Sequence, residues 1–128
     1  MSNRSHAFSL VEVLAAVAII GVVTFLAMPN IVQMKQDSED NLARARAETL
    51  NMAIASYIQA NGAAAAQTSW AAGDNASRYL LLTPYVAFSE STLAAFEPAG
   101  YDFTLPASIN PLSQKTTISA GSRGQIYY

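Results

Sequence analysis

Glu12 is the side chain whose surroundings most demand a chemical explanation. It is the only charged residue between positions 7 and 28, near the start of a run dominated by Val, Ala, Ile and Leu. A carboxylate at the centre of a membrane helix costs about 2.5 to 3.5 kcal/mol on insertion scales, and less near an end, so it requires a partner. An amino terminus is the natural candidate. A cut between Ala7 and Phe8 would expose an ammonium four residues before Glu12, one helical turn away, and Glu12 would also face the positive end of the helix dipole.

Other chemistry has less support. The single histidine is His6 and there is no cysteine, so a His/Cys metal cluster and a Cys-His nucleophile are both ruled out. Ser/Lys or paired-carboxylate catalysis stays open, yet no signature surrounds Lys35, Lys115 or the acids. Asp37, Glu39 and Asp40 are a calcium-like group without the glycine of an EF-hand loop, in a predicted helix, and read better as a solvated charged face. Gly73-Asp74-Asn75 and Gly121-Ser122-Arg123-Gly124 read as turns rather than ligand loops. The expectation is a protein with no catalytic residue, no metal and no cofactor.

The elements around Glu12 set its context. Residues 8–28 would extend about 32 Å as a helix, against a hydrocarbon thickness of about 30 Å. A secretory signal peptide with Arg4 as its basic region would leave Glu12 unexplained and lacks a small-x-small cleavage site after Met28. A plain signal anchor would likewise give Glu12 no purpose.

The residues AFSLVEVLAAVAIIGVVTFLAMPNI resemble the cleavage and methylation segment of the type IV prepilins, a family that includes the pseudopilins of type II secretion. The shared pattern is a polar leader, a small residue at the cut, Phe, Glu four residues on, an apolar helix and a later Pro. Met1 to His6, Ala7, Phe8, Glu12, residues 13–28 and Pro29 occupy those places. Ala7 stands where the family usually has Gly. The resemblance implies that a membrane prepilin peptidase cuts after Ala7 and N-methylates Phe8, and that Glu12 is an assembly contact. Gly21 and Pro29 would give the helix flexibility. Implied partners are copies of the chain or related pilins, the peptidase, an inner-membrane assembly platform and membrane lipid.

Beyond the span, residues 31–61 contain no Gly or Pro, and Leu42, Ala45, Thr49, Leu50, Ala53, Ile54, Tyr57 and Ile58 recur at three- and four-residue spacing, predicting one buried face. Asp40–Arg44 and Arg44–Glu48 at i,i+4 predict a solvated side. Asn61-Gly62 predicts a left-handed stop. Residues 63–70 could extend the helix or form the loop leading from it. A short helix is predicted from Asn75 or Ala76 to Leu82, ending before Thr83-Pro84, with Tyr79, Leu80, Leu82, Tyr85, Val86 and Phe88 as core. Trp70, Tyr127 and Tyr128 are expected in packing. Strands are predicted over 101–105, 115–119 and 125–128, divided at Pro106, Asn110-Pro111 and Gly121 to Gly124.

That order predicts an α+β, pilin-like fold, a long N-terminal helix packed on a small C-terminal antiparallel sheet. The expected organisation is a leader over 1–7, a transmembrane and assembly helix over 8–29, and a pilin-like domain over 30–128. The net charge is −2, or −3 once Arg4 is removed, which gives no reason to expect nucleic-acid binding. The resemblance implies a single-pass protein of the bacterial inner membrane with its C-terminal domain in the periplasm, later incorporated into a pilus or pseudopilus. The alternative is a membrane-anchored extracytoplasmic binding module or enzyme for which the N-terminus is only an anchor. The missing C-terminal cysteine pair leans toward a pseudopilin.

Overall fold

The computed structural model describes residues 9–128. They form helices α1 (Leu10–Asn61), α2 (Ala63–Ala71), α3 (Asn75–Leu82) and α4 (Leu93–Phe96), then strands β1 (Asp102–Thr104), β2 (Thr117–Ser119) and β3 (Gln125–Ile126), with short 3-10 turns at Thr83–Tyr85 and Gly121–Arg123. The chain falls into two compact units that meet after Asp37. Among the described residues the first unit is helical from Leu10. The second holds the rest of α1 and every other element.

The second unit has the α+β, pilin-like architecture. Its part of α1 packs with a three-stranded antiparallel sheet of order β1-β2-β3, in which Phe103 pairs with Ile118 and Ile118 with Ile126. The buried face of α1 is Ala43, Ala47, Leu50, Ala53, Ile54 and Tyr57. The expected stripe is therefore correct from Leu50 onward and displaced before it: Leu42 is 46% exposed and Ala45 is also exposed. Alanines at 43 and 47 let the backbone approach its neighbours, a close fit that hydrophobicity alone would assign to leucine.

Gly62 ends α1. Its φ of 81° is open mainly to glycine, but its ψ of 145° is extended rather than left-handed helical, so the chain re-enters a helix at once with Gly62 as the N-cap of α2. Residues 63–71 are thus a helix and not a loop. Trp70 on α2 is fully buried, its Nε1 donating to the Pro106 carbonyl at 2.7 Å and its ring 6.1 Å from Tyr57. Helix α3 begins on Asp74, whose carboxylate accepts from the Ser77 N–H at 2.9 Å. Tyr79, Leu82 and Val86 are core as expected, whereas Leu80 (55% exposed), Tyr85 and Phe88 are not. Helix α4 has no counterpart in the sequence reading. Thr92 caps it, Phe96 fills the space between Tyr79 and Phe103, and Arg46 of α1 donates to the Phe96 carbonyl at 2.6 Å.

Strand β1 lies where alternation of Tyr101, Phe103 and Leu105 places it, all three side chains being buried. Its outer edge is closed by side chains instead of a fourth strand. Asn75 donates to the Phe103 carbonyl at 2.7 Å and accepts from the Leu105 N–H at 2.8 Å, while Glu97 accepts from the Phe103 N–H at 3.0 Å. Such closure removes a template for edge-to-edge pairing.

The helix charges are organised differently from the expected i,i+4 ladder. Asp40 does not serve a solvated face: it accepts from the Tyr101 hydroxyl and from Arg123, the latter at 2.9 and 3.2 Å, joining α1 to the end of the sheet where β1 begins and β2 ends. Arg44 donates to Asn41 and Glu48 pairs with Lys115 at 3.3 Å. For Asp40 and Glu48 long-range partners take the place of the local ones, since an i,i+4 pair contributes only about 0.2 to 0.5 kcal/mol.

Two acids titrate in opposite senses. Arg123, with help from Tyr101, holds the Asp40 carboxyl below the usual aspartate range, whereas burial pushes Glu97 above its ordinary value despite the Phe103 N–H. Asp40 therefore contributes stability above the ordinary aspartate pKa and loses it as pH falls through its depressed value. Glu97 is better tolerated when neutral, so its stability contribution fades as pH rises through its elevated value. Chemical denaturation of the full chain in detergent should show Asp40→Asn weakened at pH 7, the deficit closing below about pH 4. Glu97→Gln should be more stable than the parent at pH 7 and equal to it at acid pH. A Glu97→Gln variant that is weaker at pH 7 would mean that the bond from Phe103 outweighs the burial of charge.

Candidate functional site

The candidate site is the N-terminal part of α1, in the first unit. Its helix starts at Leu10 because Ser9 caps it: the Ser9 Oγ accepts from the Glu12 N–H at 3.2 Å. Ser9 and Glu12 stand in the S-x-x-E spacing of a capping box, with Glu12 at the third helical position. Reading the segment for its charge alone missed this role, although the serine three residues before the acid is a visible signal. Glu12 thus has a local electrostatic reason to be here, since an acid in the first turn complements the helix dipole.

Around Glu12 the surface is apolar. Glu12, Val13, Ala16 and Val17 line a shallow groove on one side of the helix. Leu10, Val11, Leu14, Val17, Ile20 and Phe25 are all more than half exposed. An 18-residue window of α1 near the N-terminus has a mean hydropathy of 2.6 and none of it is buried, so by length and composition the helix can cross a membrane. Its polar interruption at Thr24 is satisfied internally, the hydroxyl donating to the Ile20 carbonyl at 2.7 Å.

The helix runs unbroken through Gly21 and Pro29. Open space surrounds the position a Cβ would take on Gly21, so no contact within the subunit requires glycine there. Ala7, Phe8 and His6 lie outside the described residues. The structure brings Ser9 and Glu12 together, and leaves Gly21 and Pro29 on the same bare helix two and more turns away.

Among the described residues no group of three or more His, Cys, Asp or Glu side chains is placed to hold a metal ion. Lys115 is engaged with Glu48 and the Tyr128 carbonyl, at 3.3 and 3.4 Å. Asp37 accepts from Gln33 at 3.0 Å, and Asp40 is committed to Tyr101 and Arg123.

The chain thus joins a pilin-like α+β unit to an apolar helical segment long enough to cross a membrane, and Glu12 is the one charged residue between positions 7 and 28. Residues 2–28 match the prokaryotic N-terminal methylation motif, the signature of type IV prepilins and pseudopilins. No curated protein and no solved structure matches the chain.

The cap can be separated from the charge. Ser9→Ala should fray the first turn, weakening it by about 0.5 to 2 kcal/mol, while leaving the second unit untouched. Hydrogen exchange of the amides at 11–13 should accelerate, and that of the amides at 50–57 should not. Unchanged exchange at 11–13 would show that Ser9 is dispensable for starting the helix.

Proposed function

We propose that this chain is a structural subunit of a type IV pilus-like or type II secretion pseudopilus filament, cut between Ala7 and Phe8 and assembled through its N-terminal helix. The observation that carries this reading is Glu12 on a wholly exposed apolar helix within a methylation motif. A prepilin peptidase would hydrolyse the Ala7–Phe8 bond and methylate the new amine, which stays cationic. The cut leaves Ser9 in the mature chain, so the residue that caps α1 does not depend on the leader.

Glu12 then pairs with the Phe8 ammonium of a neighbouring subunit, and the bare faces from Leu10 to Met34 cover one another as subunits leave the bilayer. Burial is worth about 25 cal/mol per Å² of apolar surface before association costs are subtracted. Gly21 and Pro29 provide the points at which the helix yields on packing into a filament, because glycine lowers helix propensity by about 1 kcal/mol and proline removes a backbone donor. Before assembly the subunit is held in the inner membrane by the same helix, with its C-terminal unit in the periplasm.

Mass spectrometry of the mature N-terminal peptide should find it beginning at methylated Phe8. Glu12→Ala should abolish filaments seen by electron microscopy, with processed, folded subunit retained in the membrane fraction. An intact Met1 leader in functional protein would sink the processing mechanism. Normal filaments from Glu12→Ala would remove Glu12 from assembly, and catalytic turnover by a monomer indifferent to Glu12 would favour an anchored enzyme.

A further inference from the structure

Phe88 is the most anomalous residue of the second unit. It is 98% exposed and has a φ of 57°, the one non-glycine residue with positive φ among those described. A bulky residue in the left-handed region is strained, and such strain persists only where the surroundings impose it. Here the loop is held on both flanks. The buried Tyr79 hydroxyl both donates to the Glu90 carbonyl and accepts from the Glu90 N–H, each at 3.0 Å, fixing the loop two residues beyond Phe88. The Val86 side chain is buried on the other flank. An aromatic ring is thus held in water on a clamped loop, the presentation expected of an interface anchor.

We propose that Phe88 docks on a second copy of this chain, in the recess on the outer face of β2 and β3 lined by Lys115, Thr117, Gln125 and Tyr127. The inference rests on the filament reading and names a contact of the globular unit. Two observations select this occupant. First, knob and recess lie toward opposite edges of one sheet: the Phe88 loop is fastened to α3, whose Asn75 closes the outer edge of β1, while the recess spans β2 and β3. A contact between two different surfaces of identical subunits propagates instead of closing on a dimer. Second, the charges are complementary. Glu90 is exposed beside Phe88, and Lys115 borders the recess with its ammonium 4.8 Å from the centre of the Tyr128 ring. Its pair with Glu48 is about half exposed on both sides, a surface pair weak enough to exchange for an incoming acid.

The absence of cysteine permits a direct test on the full-length chain in cells that process and assemble it. With Ser89→Cys and Gln125→Cys together, a short bismaleimide should give a ladder of dimers, trimers and higher species; either cysteine alone should leave the chain monomeric. Adding Phe88→Ala should lower the crosslinking rate about tenfold, as loss of one anchor contact implies. Phe88→Gly should do the same while raising the melting midpoint of the detergent-solubilised chain, because glycine relieves the strained φ; this separates lost docking from lost folding. A dimer that stops there with Ser89→Cys alone, or a ladder indifferent to Phe88→Ala, would overturn the contact. Filaments and methylated Phe8 present without a ladder would defeat this inference alone, whereas absence of both from the parent chain would defeat the filament reading and this contact with it.

Discussion

Apolar surface with no partner in its own unit is the constraint to which the rest of this protein answers. Lipid can cover the side chains from Leu10 to Met34, and a helix satisfies its own backbone in that setting. What lipid cannot do is complement Glu12. A carboxylate near the end of such a helix can reach the interface, but it remains the one group that gains from being met by a cation. A packed array of identical helices satisfies both demands together, provided each helix brings a positive charge to the neighbour's acid. The N-methylated terminus proposed at Phe8 would be such a charge, and the proposed cut after Ala7 would place it.

The second unit meets a different constraint. Its three strands are two or three residues long and it has no disulfide, so the sheet cannot hold itself together. Single polar side chains from the helices supply what longer strands would have supplied. Asn51 of α1 accepts from the Thr116 N–H at 2.9 Å and donates to the Tyr128 hydroxyl at 2.9 Å, tying β2 and the C-terminus to the helix. The Gln67 side-chain oxygen of α2 takes the N–H groups of Ile109 and Asn110, at 2.7 and 3.1 Å, and so fixes an irregular segment. Asn75 does the same for β1. Each of these amides satisfies backbone groups that would otherwise be left without partners beside the core, where an unmet donor costs about 1 to 3 kcal/mol.

This division explains what was legible in the sequence. The long helix, the helix over 75–82, the three strands and the breakers between them follow from periodicity and from Gly and Pro, which act locally. The roles of Asn51, Gln67 and Asn75 do not, because an amide that bridges to a strand 28 or more residues away leaves no mark on its neighbours. Asp40 shows the same limit: its spacing to Arg44 suggested a helix-surface pair, and the tertiary fold offered Tyr101 and Arg123 instead. Phe88 was misread for the opposite reason. Its apolar character argues for the core, whereas it stands 98% exposed in a loop that Tyr79 holds two residues further on, a bond to backbone that leaves no trace in the local sequence. At the N-terminus the spacing from Phe8 to Glu12 is plain in the sequence, and so is the S-x-x-E spacing of Ser9 and Glu12 that marks the cap.

The cap bears on how Glu12 should be understood. If the carboxylate served only to close a capping box, its value would be that of one helix terminus, and a polar residue such as glutamine would substitute at small loss. A role in pairing depends on charge, and glutamine would not suffice. The geometry allows both, since the bond at the cap uses the Glu12 backbone N–H and the Ser9 hydroxyl, leaving the carboxylate beside an open groove. Capping would then fix where the helix begins, and hence where the acid stands relative to the amine four residues before it. On this view the two roles are sequential rather than competing: Ser9 sets the register of the first turn, and the register decides which amine the acid can reach.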